Sequence, residues 1–137
     1  MANALFDKGR ESFLKAEINI ATDNIKAVLV DHGVDTPVPA TDQFLSDIGA
    51  GARVATSGNF TTKTTTAGVF DADDVTFTAV SGATVESLVI YQDTGNAATS
   101  RLIAYIDTLG TGSFPITPNG GDIQFVWDNG ANKIFKL

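Results

Sequence analysis

Along most of the chain the hydrophobic positions either recur every second residue or run together in short blocks, and turn residues separate them, which is the pattern of β-strands. Val75, Phe77 and Ala79 alternate with Thr76 and Thr78, predicting a strand with one buried and one solvated face. Residues 25–30 form an apolar, β-branched run that stops at Asp31-His32-Gly33, and residues 52–56 form a shorter piece closed by Ser57-Gly58-Asn59. Residues 60–66 read as a threonine-rich strand. Residues 85–91 and 102–106 are nearly continuous apolar runs, so they are expected to pair at the centre of the core, covered on both faces. Near the end Ile123, Phe125 and Trp127 share a side, Asp128-Asn129-Gly130 offers a turn, and Ile134, Phe135 and Leu137 follow, which predicts a C-terminal hairpin.

Only the beginning has helical spacing. Ala2, Leu5, Phe6, Gly9, Phe13 and Ala16 recur at steps of three and four, so residues 1–17 are expected to form an N-terminal helical arm with one apolar face. Glu11 and Lys15 add a favourably oriented pair one turn apart. Gly9 costs about 1 kcal/mol relative to alanine inside a helix, so this arm needs a surface to dock on, its own sheet or a neighbour. Leu5, Phe6 and Phe13 are therefore the candidate protein-interface residues. A second short helix is predicted over residues 42–48, with Thr41 as cap, Phe44, Leu45 and Ile48 on one face and Gly49 as stop.

These elements amount to about eight short strands at intervals of roughly 8–12 residues, the spacing of an all-β sandwich or barrel. The expected fold is mainly β: a two-sheet antiparallel sandwich, jelly-roll-like, with a short N-terminal helix. At 137 residues, without an interdomain linker or internal repeat, the chain reads as a single domain over 1–137.

Composition narrows the chemistry. The formal charge is −7, so release of counterions from a phosphate backbone supplies no net affinity; nucleic acid and anionic membrane surfaces are not the expected partners. The chain contains no cysteine, which excludes thiolate catalysis, disulfides and cysteine-ligated zinc. Residues 1–15 carry five charged side chains and no long apolar block, unlike a secretory leader, so synthesis and folding in a cytoplasm are expected. The single histidine, His32, stands in an Asp-His-Gly turn and is read as a solvated turn residue rather than a catalytic base.

No nucleophile elbow, His-Glu-x-x-His pair or phosphate loop is present, and Gly49-Ala50-Gly51 follows a predicted helix instead of opening one. Asp71, Asp73 and Asp74 offer oxygen ligands for calcium, but the residues that follow form a strand, and a solvated turn explains the acids equally well. Asp93, Asp107, Asp122 and Asp128 fall at predicted strand ends, where turns are the ordinary use of aspartate. Trp127, Phe125, Tyr91 and Tyr105 have the chemistry of a sugar-stacking platform, yet their apolar strands favour core packing. Asn59-Phe60-Thr61 matches a glycosylation sequon by composition alone. The expectation is a protein without catalytic, metal or cofactor residues, which acts by packing against other proteins.

Five segments together carry a resemblance: Met1-Ala-Asn-Ala-Leu-Phe-Asp-Lys-Gly-Arg, Ile25-Lys-Ala-Val-Leu-Val-Asp, Phe44-Leu-Ser-Asp-Ile, Gly51-Ala-Arg-Val-Ala-Thr-Ser-Gly and Asp128-Asn-Gly-Ala-Asn-Lys-Ile-Phe-Lys-Leu. They span nearly all of the chain, and they resemble a group of small proteins of tailed bacteriophages found near head genes. The resemblance implies a capsid decoration, or cement, protein on the outer surface of the virion, bound between major capsid subunits. It implies the major capsid protein and further copies of the same chain, as a dimer or trimer, as partners, and carries over no catalytic residue and no cofactor. The competing expectation is a tail, baseplate or virion-surface module that contacts glycans or a host surface.

Overall fold

The structure is a computed structural model that describes residues 3–109 and 113–137. Among these residues it is mainly β and wholly antiparallel. In chain order come β1 (Ala4–Leu5), α1 (Asp7–Leu14), β2 (Ile25–Val30), β3 (Arg53–Thr56), β4 (Val69–Phe70), β5 (Val75–Phe77), β6 (Ser87–Gln92), β7 (Leu102–Ile106), β8 (Ile123–Phe125) and β9 (Phe135–Lys136). A five-stranded sheet runs in the order β1-β7-β6-β2-β3, and two ribbons, β4-β9 and β5-β8, pair separately.

The two apolar runs at residues 85–91 and 102–106 pair as β6 and β7, and every residue of both strands is buried. Burial on both faces explains why they read as continuous apolar runs rather than as alternation. Ile25, Ala27, Leu29, Leu88, Ile90 and Ile106 face the ribbons, where Phe60, Phe70, Phe77, Phe125 and Trp127 complete one apolar layer. Val28, Val30, Val89, Tyr91, Leu102 and Tyr105 face the other way and are covered by Phe6, Leu45, Ile48 and Ala52. The result is sandwich-like: one full sheet, two ribbons on one face, and the long 31–52 connection with Phe6 on the other.

Two irregularities shape the sheet. Ile90 pairs with Ala104 and Tyr91 with Leu102, so Ile103 is an extra residue and both Ile103 and Ala104 turn toward the ribbon layer. A second shift sets Leu29 opposite Ala55 and Val30 opposite Arg53, leaving Val54 as the extra residue of β3.

Several sequence expectations are corrected. The helix covers Asp7–Leu14 only, and Ala16 lies beyond it at φ +58, where Glu17 N–H donates to Ser12 O at 2.9 Å and closes the end; Ala2 falls outside the described residues. The predicted helix at 42–48 is replaced by one short 3-10 turn, Leu45–Asp47. Its cause is local: the Asp47 carboxylate accepts the N–H groups of Gln43 and Phe44, both at 2.8 Å, and Phe44 bridges to Arg101, so the backbone is held extended before it can wind. Among the described residues the Thr41 hydroxyl meets only Asp42, at 3.5 Å, and caps no helix.

Residues 60–66 form no strand beyond a single bridge of Thr64 to Asp71. Asp73 accepts the hydroxyls of Thr61 at 2.9 Å and Thr62 at 2.7 Å, and Thr62 sits at φ +55, a conformation incompatible with a ladder. The C-terminal hairpin does not form either. β8 pairs with β5 and β9 with β4, because Phe125 meets Phe77 edge-on at 5.7 Å while Phe135 meets Phe70 at 5.2 Å. The Asp128-Asn129-Gly130 turn exists, with Gly130 N–H on the Asp128 carboxylate at 3.1 Å, but it connects two ribbons rather than two partners.

Candidate functional site

The N-terminal segment starts as a strand because Ala4 and Leu5 find open ladder positions on Tyr105 and Ala104 of β7. Phe6 N–H adds the last rung, donating to Ile103 O at 2.9 Å, and the chain then winds into α1. The helix lies along the β7 edge where β1 ends, so an edge that would expose backbone groups is closed by the chain itself. Contact is close: a Cβ on Gly9 would stand 2.5 Å from Leu102 O and 3.3 Å from Ile103 Cα.

This geometry sorts the three predicted interface residues. Phe6 is fully buried in its own core and unavailable to a neighbour, which corrects its assignment to an interface. Leu5 and Phe13 are half-buried and pack against the ribbon-side core. The apolar side chain that the helix does present is Leu14, 89% exposed, which the three- and four-residue pattern passed over. At the opposite end of the sheet β3 is an edge strand, paired on one side to β2.

His32 is not a freely solvated turn residue. Its Nε2 lies 2.8 Å from the Ser87 hydroxyl, its ring stacks on Tyr105 at 6.2 Å, and its backbone N–H donates to Glu86 at 2.8 Å. The Tyr105 hydroxyl donates to the Asp107 carboxylate at 3.1 Å. Burial, with the Asp107 charge, pushes the Tyr105 pKa up to about 12, so the phenol stays protonated. The direction of the contact between His32 Nε2 and the Ser87 hydroxyl follows the imidazole tautomer. These contacts tie the turn that follows β2 to β6 and β7.

The aspartates do local work. Asp73 holds Thr61 and Thr62, and those two hydroxyls keep its carboxyl below the usual aspartate range. Asp74 accepts Trp127 N–H at 3.0 Å, Asp122 accepts Ala79 N–H at 2.8 Å, and Asp93 pairs with Lys26 at 2.8 Å. Asp93 and Asp107 follow opposite ends of the β6-β7 pair, and Asp122 and Asp128 flank β8, so the four do not converge. Among the described residues no group of three or more histidine, aspartate or glutamate side chains is placed to hold a metal ion. Trp127, Phe125, Tyr91 and Tyr105 are all buried and belong to the core, so they form no exposed aromatic platform. Gly49-Ala50-Gly51 lies at a 3-10 turn, Ala50–Ala52, that leads into β3.

One feature of the surface escaped the sequence. Between the outer side of β1 and the outer side of β9 a groove is lined by Leu5, Ile134 and Phe135, with Arg10 and Lys136 at its rim. Residues so far apart in the chain give no local signal of sharing one site. No family model matches the chain, and no curated protein matches it.

Proposed function

We propose that this protein is a capsid decoration, or cement, protein of a tailed bacteriophage, bound on the outside of the shell between major capsid subunits. The observation that carries the reading is that the two sides of the five-stranded sheet end differently. On one, α1 covers the β7 edge beyond the two-residue β1, and the other leaves β3 as an edge strand, with Val34, 61% exposed, next to Gly51 just before it. An edge strand with an apolar side chain nearby supports association with another protein, a neighbouring copy included. The resemblance of the five segments supports a phage-head partner, and the net charge of −7 favours dispersal of the free protein before assembly.

The physical benefit is linkage. A ligand that binds the closed shell and not its ruptured state stabilises the shell in proportion to the logarithm of its concentration over Kd. A standard interface of about 800 Å² per partner is a modest fraction of the 6732 Å² accessible surface, leaving room for contacts to more than one capsomer.

The test mixes purified protein with expanded shells that lack it, then measures pelleting stoichiometry and the rupture temperature of the shells. Saturable binding at a fixed ratio to the major capsid protein, with a raised rupture temperature, is the expected result. Absence of binding overturns the reading and turns attention to the tail, the baseplate or a host-surface ligand.

A further inference from the structure

The groove between β1 and β9 is the seam where the five-stranded sheet and the β4-β9 ribbon fail to close on one another. It has a volume of about 270 Å³. Among polar groups, three apolar side chains line it: Leu5, Ile134 and Phe135 are each only half-buried, although all three pack against the core. One wall is a strand edge. Because Phe6 N–H points to β7, alternation along β1 turns the N–H and C=O of Leu5 away from β7, toward the open side.

The rim is cationic on a molecule that is otherwise strongly acidic. Arg10 and Lys136 are both exposed. Among the described residues Arg10 reaches only Asp7, at 3.6 Å between two exposed side chains, a contact worth little. Lys136 makes no ion pair among the described residues. An outward strand edge, three half-buried apolar side chains and two cations beside them match the three requirements of strand addition: backbone pairing, pockets for alternate side chains, and charge that selects the guest.

We propose that this groove receives an extended segment of a partner protein in which apolar side chains alternate with carboxylates. The segment's backbone pairs with Leu5, its apolar side chains cover Leu5, Ile134 and Phe135, and its carboxylates meet Arg10 and Lys136. This deepens the decoration reading, on which the partner's being a shell protein rests, by naming the chemistry of the partner's segment.

The probe is a synthetic peptide of alternating valine and glutamate, titrated into the full chain and followed by backbone amide shifts; a valine-lysine peptide of the same length is the control. Saturable shifts at Leu5, Phe135 and Lys136 with the acidic peptide alone, weakened at least tenfold by the double variant R10E/K136E, are expected. Equal binding of both peptides, shifts elsewhere, or no saturation at millimolar peptide overturns the proposal. Should charge reversal alter the amide spectrum of the free protein, R10A/K136A replaces it, with the same criterion. Shell pelleting separates this inference from the decoration reading. If wild type and R10E/K136E pellet equally well, the groove is not used and decoration stands. If wild type ignores shells but the acidic peptide still occupies the groove, decoration falls and the groove stands.

Discussion

Gly9 and Ala16 reverse the usual preferences of a helix, and each does so for a reason in its surroundings. Gly9 sits inside α1, where alanine is ordinarily favoured by about 1 kcal/mol, but a Cβ there would strike Leu102 O at 2.5 Å. Overpacking of this kind costs about 1–3 kcal/mol, and the obstacle is strand backbone, which yields little. Gly9→Ala is expected to destabilise the protein by roughly 0–2 kcal/mol net in urea unfolding; a gain in stability would show that the helix can lift off β7 at little cost. Ala16 occupies the left-handed position after the helix, φ +58, usually filled by glycine. Ala16→Gly should stabilise by about 0.5–1 kcal/mol, the lifted strain being partly offset by a more flexible unfolded chain, and a lower urea midpoint would contradict that. The same segment separates core from surface. Phe6→Ala should cost about 3–5 kcal/mol, whereas Leu14→Ala should stay within about 0.5 kcal/mol of wild type, because Leu14 is 89% exposed.

At the scale of elements, the two ribbons differ in how firmly they are held. Phe125 of β8 is buried and touches both Phe77 and Phe114, whereas Phe135 of β9 is half-buried against Phe70. Phe125→Ala should therefore cost about 3–4 kcal/mol and Phe135→Ala about 2 kcal/mol. Hydrogen exchange should show the Ile134 amide, bonded to Phe70 O at 3.1 Å, opening earlier than amides of β6. Equal protection would mean that the β4-β9 ribbon unfolds only with the main sheet. The same contrast explains what the sequence revealed. The strands at residues 25–30, 87–92 and 102–106 were legible because burial on both faces writes a nearly continuous apolar run. Residues 42–48 and 60–66 were misread because Asp47 and Asp73 bond to backbone or threonine groups three to twelve positions away, a competition that hydrophobic periodicity does not encode. The C-terminal pairing was missed because a turn signal fixes where the chain bends and leaves the choice of partner to distant aromatic contacts. The candidate surface was half-legible for the same reason: Leu5 is visible in the helical pattern, but its meeting with Phe135 and Lys136 is a product of tertiary packing.

For the whole molecule, acidity acts on stability and on association over the same range of pH, and the two effects can be separated. The Asp93 carboxyl is held below its ordinary value, chiefly by its hydrogen bond to Lys26, and Asp73 is held down by Thr62 and Thr61. A group whose folded pKa is depressed contributes its stability above the unfolded value, about 3.9 for aspartate, and loses it as pH falls through the lower folded value. Asp42 has the opposite sign, its pKa being raised by burial, so its contribution is present at low pH and lost as pH rises through the folded value. It therefore offsets part of the acid loss. Meanwhile the net charge vanishes near the pI of about 4.4 as the carboxylates of ordinary or raised pKa protonate, so mutual repulsion between copies disappears before the depressed Asp73 and Asp93 take up protons. Sedimentation should accordingly show self-association rising as pH is lowered toward 4.4 while the unfolding free energy is still close to its neutral value. Asp93→Asn should lower stability by at most about 1 kcal/mol at pH 7, given that the Lys26 pair is partly solvated, and the gap to wild type should shrink as pH falls from about 3.9 through the lower folded value. If instead the gap persisted at a pH low enough to protonate Asp93 in the folded protein, Asp93 would be holding its neighbours through hydrogen bonds that survive protonation, and the ion pair with Lys26 would not be the source of the acid sensitivity.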